Sequence, residues 1–381
     1  MAEISSPRAT MPESTALYLT MCPVTPTGFR FPQVLVVAPG PELRGGITSV
    51  VLAHQSTPTW VKFSCNWLNT YSDRGGVYKL VSALRAYLLT PNAVSRADIV
   101  HVHLGADASL MRKLPIIWFA ARMKKPVILH FHVASAESLF IRTSSWVLSA
   151  LRSHAALVIA LSSSWKTEFE QRWPDIPTTV LPNPVSCSGS GAARRPGTIL
   201  FLGKLENRKG YALLLEALPA VLREFPTAQL WFAGNGEIEK GEALARKLGV
   251  HSSVRFLGWI SGFEKQRVLE EAEILCLPSF AEGVPMAILE GMAHALPVVT
   301  TPVGGIPDVI ANGRNGVLIP VGHSAAISNA IMTLLRNPQE RRRLGDCAQE
   351  TVRNLCSIDR VAAMLSDLYL TIWLGCRPLG G

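Results

Sequence analysis

The amino-acid sequence predicts an α/β protein of two doubly wound domains facing each other across a cleft, and three observations carry that prediction. Short runs of β-branched and apolar residues recur along the chain, separated by segments with helical spacing. The alternation is interrupted once, at the small, polar stretch SCSGSGAARRPG, and then restarts. At 381 residues the chain is long for one domain and comfortable for two.

Residues 1–31 are rich in Pro, Ser and Thr without periodicity and read as a disordered leader. The first domain is expected over 32–185, with strands at 33–38, 98–103, 127–132, 157–162 and 178–181. Their apolar residues are continuous rather than alternating, as in strands buried on both faces of a parallel sheet. The helical segments VYKLVSALRAYLL and LPIIWFAARM lie between them and cover the sheet. Residues 186–197 read as an interdomain linker. A second domain follows over 198–357, with strands in TILFLG, QLWFAG, VRFLG, EILCLP, PVVTT and GVLIP, and helices in YALLLEALPAVLREF, EKGEALARKLG and PMAILEGMAHA. Residues 358–381 hold a last helix, over 359–373, and a tail; that helix is free to pack on either domain, including back on the first. In such an arrangement the ligands belong at the carboxyl ends of the strands, in the cleft.

Composition narrows the class. A hydrophobic fraction of 48% with 17% charged residues excludes wholesale disorder. The net charge of +9 is compatible with nucleic acid, an anionic membrane or a phosphorylated substrate. The excess is concentrated in the first half: residues 74–97 carry four basic side chains and no acid, and 108–136 carry Arg112, Lys113, Arg122, Lys124 and Lys125. Seven cysteines without a CxxC pair suggest neither a zinc framework nor a disulfide scaffold, and reduced thiols are expected. No uncharged apolar run approaches the roughly 18 to 20 residues of a membrane span. ALYLTMCPV is short for a signal segment and follows Glu13, so a protein that is not secreted is expected.

The motifs cluster at strand ends. PGPELRGGITSVV follows the first strand, where Gly45 and Gly46 can bring backbone N–H groups to an anion; a plain β-α turn has the same pattern. FLGKLENRKG opens the second domain and sets Lys204 and Lys209 where a diphosphate can lie between them, although two solvated lysines would look alike. A Walker-type loop is excluded, because GxxxxGK[ST] occurs nowhere. HVH at 101–103 and HFH at 130–132 each set two histidines on one face of a strand; satisfied core histidines are the expectation, and no metal site is assigned.

SFAEGVPMAILEGMAHALPVV holds two acids, Glu282 and Glu290. Pro285 suits a first helical position, so Glu282 belongs to the preceding loop and Glu290 to the helix. The N–H groups near Met286 and Ala287 can then receive a phosphate between the acids. An amphipathic helix with acidic ends is the plainer alternative, but apolar neighbours surround Glu290, and a carboxylate there needs a specific partner. VGGIPDVI by itself is only a turn.

Taken in order, GGITSVV, HFH, LPNPV, FLGKLENRKG, WFAGNGE, VRFLGW, PSFAEGVPMAILEGMAHALPVVTT, VGGIPDVI and NGVLIP resemble the retaining glycosyltransferases of family 4 (glycosyl transferases group 1), which have the GT-B fold of two Rossmann-like domains. The likeness runs from about residue 33 to 370 and is most specific over 278–319. It implies a C-terminal domain that binds a nucleotide sugar and an N-terminal domain that binds the acceptor. Glu290 would hold the ribose and Glu282 a hydroxyl of the donor sugar. Lys204 and Lys209 would neutralise the leaving diphosphate without a metal ion or other cofactor. His132 would touch the donor sugar from the opposite domain, with Gly45 and Gly46 at the junction of acceptor and phosphates. The implied chemistry is front-face transfer, in which Glu282 positions and stabilises rather than forms a covalent bond.

Three residues depart from the family's pattern: Lys204 stands where arginine is usual, Val133 replaces a glycine after the histidine, and Gly291 follows Glu290 where alanine is common. The basic first domain then reads as an acceptor domain whose segment ASLMRKLPIIWFAARMKK is either an interfacial helix for an anionic membrane or a core helix with a solvated edge. The expectation is hexose transfer from a GDP- or UDP-sugar to a lipid-linked saccharide in exopolysaccharide or lipopolysaccharide synthesis. The expected location is cytoplasmic, peripheral on the inner face of the membrane, with no nucleic-acid partner. A GT-B nucleotide-sugar epimerase and a non-catalytic GT-B subunit are the alternatives.

Overall fold

Parallel pairing of buried strands organises the chain in the computed structural model, which describes residues 30–71, 76–105, 108–133, 136–187 and 194–375. Residues 1–29 of the expected leader over 1–31, residues 188–193 of the expected linker and the tail beyond 375 lie outside these residues.

The first domain runs β1 (Val34–Ala38), α1 (Gly46–Gln55), α2 (Pro58–Lys62), β2 (Asn66–Asn69), α3 (Gly76–Arg96), β3 (Ile99–Leu104), α4 (Ala108–Arg122), β4 (Val127–Phe131), α5 (Ala136–Arg142), α6 (Ser145–His154), β5 (Ala155–Ala160), α7 (Ser163–Arg172) and β6 (Thr178–Val180). The second runs β7 (Thr198–Leu202), α8 (Tyr211–Glu224), β8 (Gln229–Ala233), α9 (Ile238–Lys247), β9 (Val254–Gly258), α10 (Gly262–Glu271), β10 (Ile274–Leu277), α11 (Met286–Ala293), β11 (Val298–Thr300), α12 (Ile306–Val309), β12 (Val317–Leu318), α13 (Ser324–Arg336) and α14 (Pro338–Cys356). A last helix, α15 (Ile358–Gly375), ends the described chain.

Each domain holds one six-stranded parallel sheet, in the orders β2-β1-β3-β4-β5-β6 and β12-β11-β10-β7-β8-β9. Every residue of β1, β3, β4, β7 and β10 is buried, which accounts for the unbroken apolar runs in the sequence. The strand β2, NWLN, is not among those expected: it is a half-exposed edge strand with polar residues at both ends. Helices cover the sheets with one apolar face each; α8, for example, buries Leu214, Leu215, Leu218 and Val221 at helical spacing.

The two domains touch through specific groups at the carboxyl ends of their strands. Asn183 Nδ2 donates to Val284 O at 2.9 Å, and Ser163 N donates to the Asp308 carboxylate. The helix α15 lies against α1 and α2 of the first domain. There Thr59 Oγ1 donates to Ala362 O at 3.1 Å, and Tyr369 Oη meets His101 Nδ1 at 2.7 Å. Among the described residues no helix is long and apolar enough to cross a membrane, and Cys65, Cys187, Cys276, Cys347 and Cys356 are free thiols.

Candidate functional site

Strand order locates the site before any side chain is considered. In the second sheet β7 lies beside β10, and the chain continues outward from β7 to β8 on one side and from β10 to β11 on the other. Loops after neighbouring strands that lead apart open a crevice between them. The loop after β7 carries Lys204 to Gly210, and the loop after β10 carries Ser279 to Val284. The first sheet has the same divergence between β1 and β3, whose following loops hold Gly45 and Gly46 and lead from His103 into Gly105.

Glu282 is the centre of the second-domain crevice. It is 4% exposed, and each carboxylate oxygen has a cationic partner: Lys209 Nζ lies 2.5 Å from Oε1 and Arg208 Nη1 lies 3.3 Å from Oε2. Ser279 Oγ also donates to Oε1, at 2.8 Å, and Thr301 Oγ1 holds the carbonyl of Ser279. A carboxylate removed from water needs such partners, and this one has three. Arg208 further donates to Ala281 O and Glu206 Oε1, both at 2.6 Å, so the guanidinium ties the two loops together.

Two glycines make this approach sterically possible. A Cβ on Gly304, at φ +58°, would stand 1.6 Å from the carbonyl oxygen of Glu282, and one on Gly210, at φ +71°, would stand 2.1 Å from that of Pro278. The VGG turn is thereby part of the wall that fixes Glu282.

Lys204 behaves differently from Lys209. Its side chain is 60% exposed and its ammonium lies 3.4 Å from Glu206 Oε2, a contact that water screens. The two lysines expected to flank a diphosphate are one clamped, half-buried cation and one exposed cation with a solvent-screened partner.

Glu290 lies in α11 with its Oε1 2.7 Å from Lys265 Nζ of α10. The helix begins one residue later than expected, because Pro285 keeps an extended ψ of 129° and stands as the cap. The amides of Met286 and Ala287 precede the first helical bond, from Ile288 N to Pro285 O, so they have no partner along the helix axis. Gly291 has a packing reason: a Cβ there would meet Leu275 Cδ2 at 2.6 Å.

On the opposite wall, β4 ends at Phe131, one residue short of the expected strand, but His132 N donates to Leu104 O at 2.7 Å and carries the pairing to the expected end. Val133 turns its side chain into the core of the first domain, while its carbonyl faces Gly283, where a Cβ would approach within 3.0 Å. His132 and Glu282 are thus each one residue from a contact between the domains. Arg44, beside the Gly45 and Gly46 turn, lies over the ring of Trp259 at 5.5 Å and brings that turn to the second domain as well. Neither Gly45 nor Gly46 is crowded; Gly45 is extended at φ 173° and Gly46 opens α1.

The expected same-face pairs His101 with His103 and His130 with His132 merge into one quartet, three of them buried and His132 half-buried, because His103 pairs with His130 across β3 and β4. His101 Nε2 and His130 Nδ1 lie 3.2 Å apart, and His103 Nδ1 and His132 Nε2 lie 2.9 Å apart. Burial, with neighbouring imidazoles second, holds His101, His103 and His130 well below the ordinary histidine range. His132 is pushed down to about 3 by burial and then by the nearby Lys113, so it is neutral at physiological pH. Among the described residues His101, His103 and His130 are the one group whose ligand atoms gather as a metal would need, within 4.8 Å. Two of those rings are engaged with each other by hydrogen bond.

Sequence reasoning missed Arg208, Ser279, Lys265 and Lys113. Arg208 adjoins the expected Lys209 in ENRKG and Ser279 stands three residues before Glu282 in SFAEG, so charge and proximity were the available signals; Lys265 meets Glu290 across 25 residues, and Lys113 reaches the His103 carbonyl only through the packing of α4 on β3. Lys113 is fully buried, donates to His103 O and Ser109 Oγ, and is lowered to about 7 by burial and then by Arg112.

Comparison with known proteins agrees with this geometry. The family model "Glycosyltransferase Family 4" matches residues 32–188, and "Glycosyl transferases group 1" matches 196–337. The chain is 30% identical over 288 residues to the phosphatidyl-myo-inositol mannosyltransferase of Mycobacterium leprae, covering 72% of this chain and 74% of that one. It is 28% identical over 315 residues to a glycogen synthase of Mycobacterium tuberculosis, covering 78% and 74%. Among solved structures, Anabaena Alr3699/HepE in complex with UDP and glucose superposes with a TM-score of 0.72 at 17% identity, covering 89% of this chain and 100% of that one. Sucrose-phosphate synthase from Thermosynechococcus elongatus gives 0.71 at 17% identity, covering 90% and 100%. With these matches the chain belongs to glycosyltransferase family 4 and is a glycosyltransferase of the two-domain GT-B fold.

Proposed function

We propose that this protein is a retaining, metal-independent hexosyltransferase. It moves a hexose from a GDP- or UDP-sugar to a lipid-linked saccharide in cell-surface polysaccharide synthesis, working peripherally at the inner face of the cytoplasmic membrane. The observation that carries the reading is the buried Glu282 carboxylate between Lys209 and Arg208 at the strand switch point. In it, Glu282 accepts a hydroxyl of the donor sugar and Glu290 the ribose hydroxyls, while the amides of Met286 and Ala287 meet the diphosphate.

As the glycosidic bond to phosphate breaks, negative charge grows on the diphosphate. Lys209 and Lys204 lie where that charge appears, which is the task a metal ion performs in other transferases. The acceptor hydroxyl attacks from the same face and gives its proton to the leaving phosphate oxygen. Neutral His132 donates or accepts a hydrogen bond at the sugar from the other wall, and the Gly45 and Gly46 turn borders the acceptor.

A mannosyltransferase named for phosphatidyl-myo-inositol among the relatives supports a lipid-bearing acceptor, and the complex of a structural relative with UDP and glucose supports a nucleotide-sugar donor. A membrane surface is supported by the adjoining helices α3, α4 and α6, which expose Leu84, Leu88, Trp118 and Trp146 beside Arg85 and Arg122.

The test is transfer from a panel of UDP-, GDP- and ADP-sugars to lipid extracts with excess EDTA, with the product's anomeric configuration read by proton NMR. Retained configuration and EDTA resistance are expected. Inversion, or dependence on added metal, contradicts the mechanism. Release of free sugar without acceptor marks an epimerase, and a folded protein that binds no donor marks a non-catalytic subunit. Vesicles of phosphatidylcholine with and without phosphatidylglycerol test the surface: binding that needs the anionic lipid and fades with salt is expected.

A further inference from the structure

We infer that His103 is a positioning residue for transfer: it sets the tautomer and orientation of His132, and so which ring nitrogen His132 offers to the donor sugar. The inference rests on the proposed contact of His132 with that sugar. His103 Nδ1 and His132 Nε2 are 2.9 Å apart, with ring planes 21° from one another. That is the geometry of an N–H···N bond between nearly coplanar rings. Both imidazoles are neutral, so each has one donor and one acceptor nitrogen. Fixing the role of His132 Nε2 therefore fixes the role of Nδ1 as well.

His103 is suited to this because it is held from every side. Its carbonyl accepts from the buried Lys113 ammonium, which Ser109 Oγ anchors at 3.0 Å. Its ring packs on His101 at 4.4 Å and on His130 at 4.8 Å between centroids. His101 is tied in turn to His130 and to Tyr369 of α15. A ring so confined has one orientation to present to His132. His101 supplies an internal comparison: it lies on the same strand and face, equally buried, but its two ring nitrogens serve His130 and Tyr369.

The experiment compares H103F, H103N, H101F and H132A with the wild-type protein, measuring thermal stability, nucleoside diphosphate binding and steady-state transfer. It adds long-range proton–nitrogen NMR of protein labelled with 15N-histidine. A misplaced contact at a reacting centre costs on the order of 100-fold in rate. H103F is expected to lose about that much in kcat with nucleotide affinity unchanged. H103N, whose amide reaches the place of Nδ1, recovers most of it, and H101F, which keeps a ring packed on His103 and has no bond to His132, lowers kcat far less than H103F. His132 is expected in a single tautomer in the wild type and in a mixture in H103F.

The inference is overturned if H103F and H101F lower kcat alike, in step with lost stability. It is overturned equally if H132A abolishes transfer while H103F does not, or if His132 already exchanges between tautomers in the wild type, a result that stands even should H103F fail to fold. Full transfer by H132A refutes the donor-sugar contact itself and is a separate outcome.

Discussion

Lys209 Nζ lies 2.5 Å from Glu282 Oε1 across the crevice between the loops after β7 and β10. One contact thus links the cation proposed for the diphosphate to the acid proposed for the sugar. Removing one partner of a buried pair strands the other, at a cost of about 3 kcal/mol or more. Glu282→Gln is expected to lose about that much stability, because Lys209 and Arg208 are then left facing each other. It should also lower kcat by on the order of 100-fold. Chemical denaturation and steady-state kinetics on one preparation check both.

Glu290 is expected to act on binding alone. Hydrogen bonds to a charged group contribute about 1.5 to 3 kcal/mol, so Glu290→Ala should weaken nucleoside diphosphate binding by roughly 10- to 100-fold. Turnover at saturating donor should change far less. Calorimetric titration beside the rate measurement separates the two effects.

Gly291 sets helix propensity against packing. Alanine at this position would gain about 1 kcal/mol in the helix, but its Cβ would stand 2.6 Å from Leu275 Cδ2 in the core, and overpacking costs about 1 to 3 kcal/mol. Packing wins, so Gly291→Ala is expected to lower the urea midpoint rather than raise it.

Lys113 gives a pH signature. Its folded pKa, near 7, lies below the unfolded value near 10.5, so between these the unfolded state binds more protons and stability rises with pH. The slope from this group is at most about 1.4 kcal/mol per pH unit. Lys113→Met should remove that rise between pH 7 and 9 in denaturation curves, and an unchanged slope would show that Lys113 is charged in the folded protein.

The continuous runs VLVVA and TILFL are legible as strands because burial on both faces leaves nothing but apolar residues to read. NWLN is not, since an edge strand with three residues at least partly exposed carries no such pattern. Glu282 and Glu290 are visible from a proline that separates loop from helix and from the family resemblance. Their partners are less so: Lys209 is 73 positions from Glu282, and Lys265 is 25 from Glu290, distances over which local pattern says nothing. The histidine quartet follows the same rule. Period-two spacing pairs His101 with His103 and His130 with His132, but only the register of β3 on β4 joins the pairs.

The central claim is that Glu282 and Glu290 have unequal duties on one donor, and the most direct measurement is nucleotide affinity and transfer rate for Glu282→Ala and Glu290→Ala side by side. The account predicts that Glu282→Ala abolishes transfer with nucleotide binding largely intact, whereas Glu290→Ala weakens nucleotide binding itself. Indistinguishable effects of the two substitutions would contradict it.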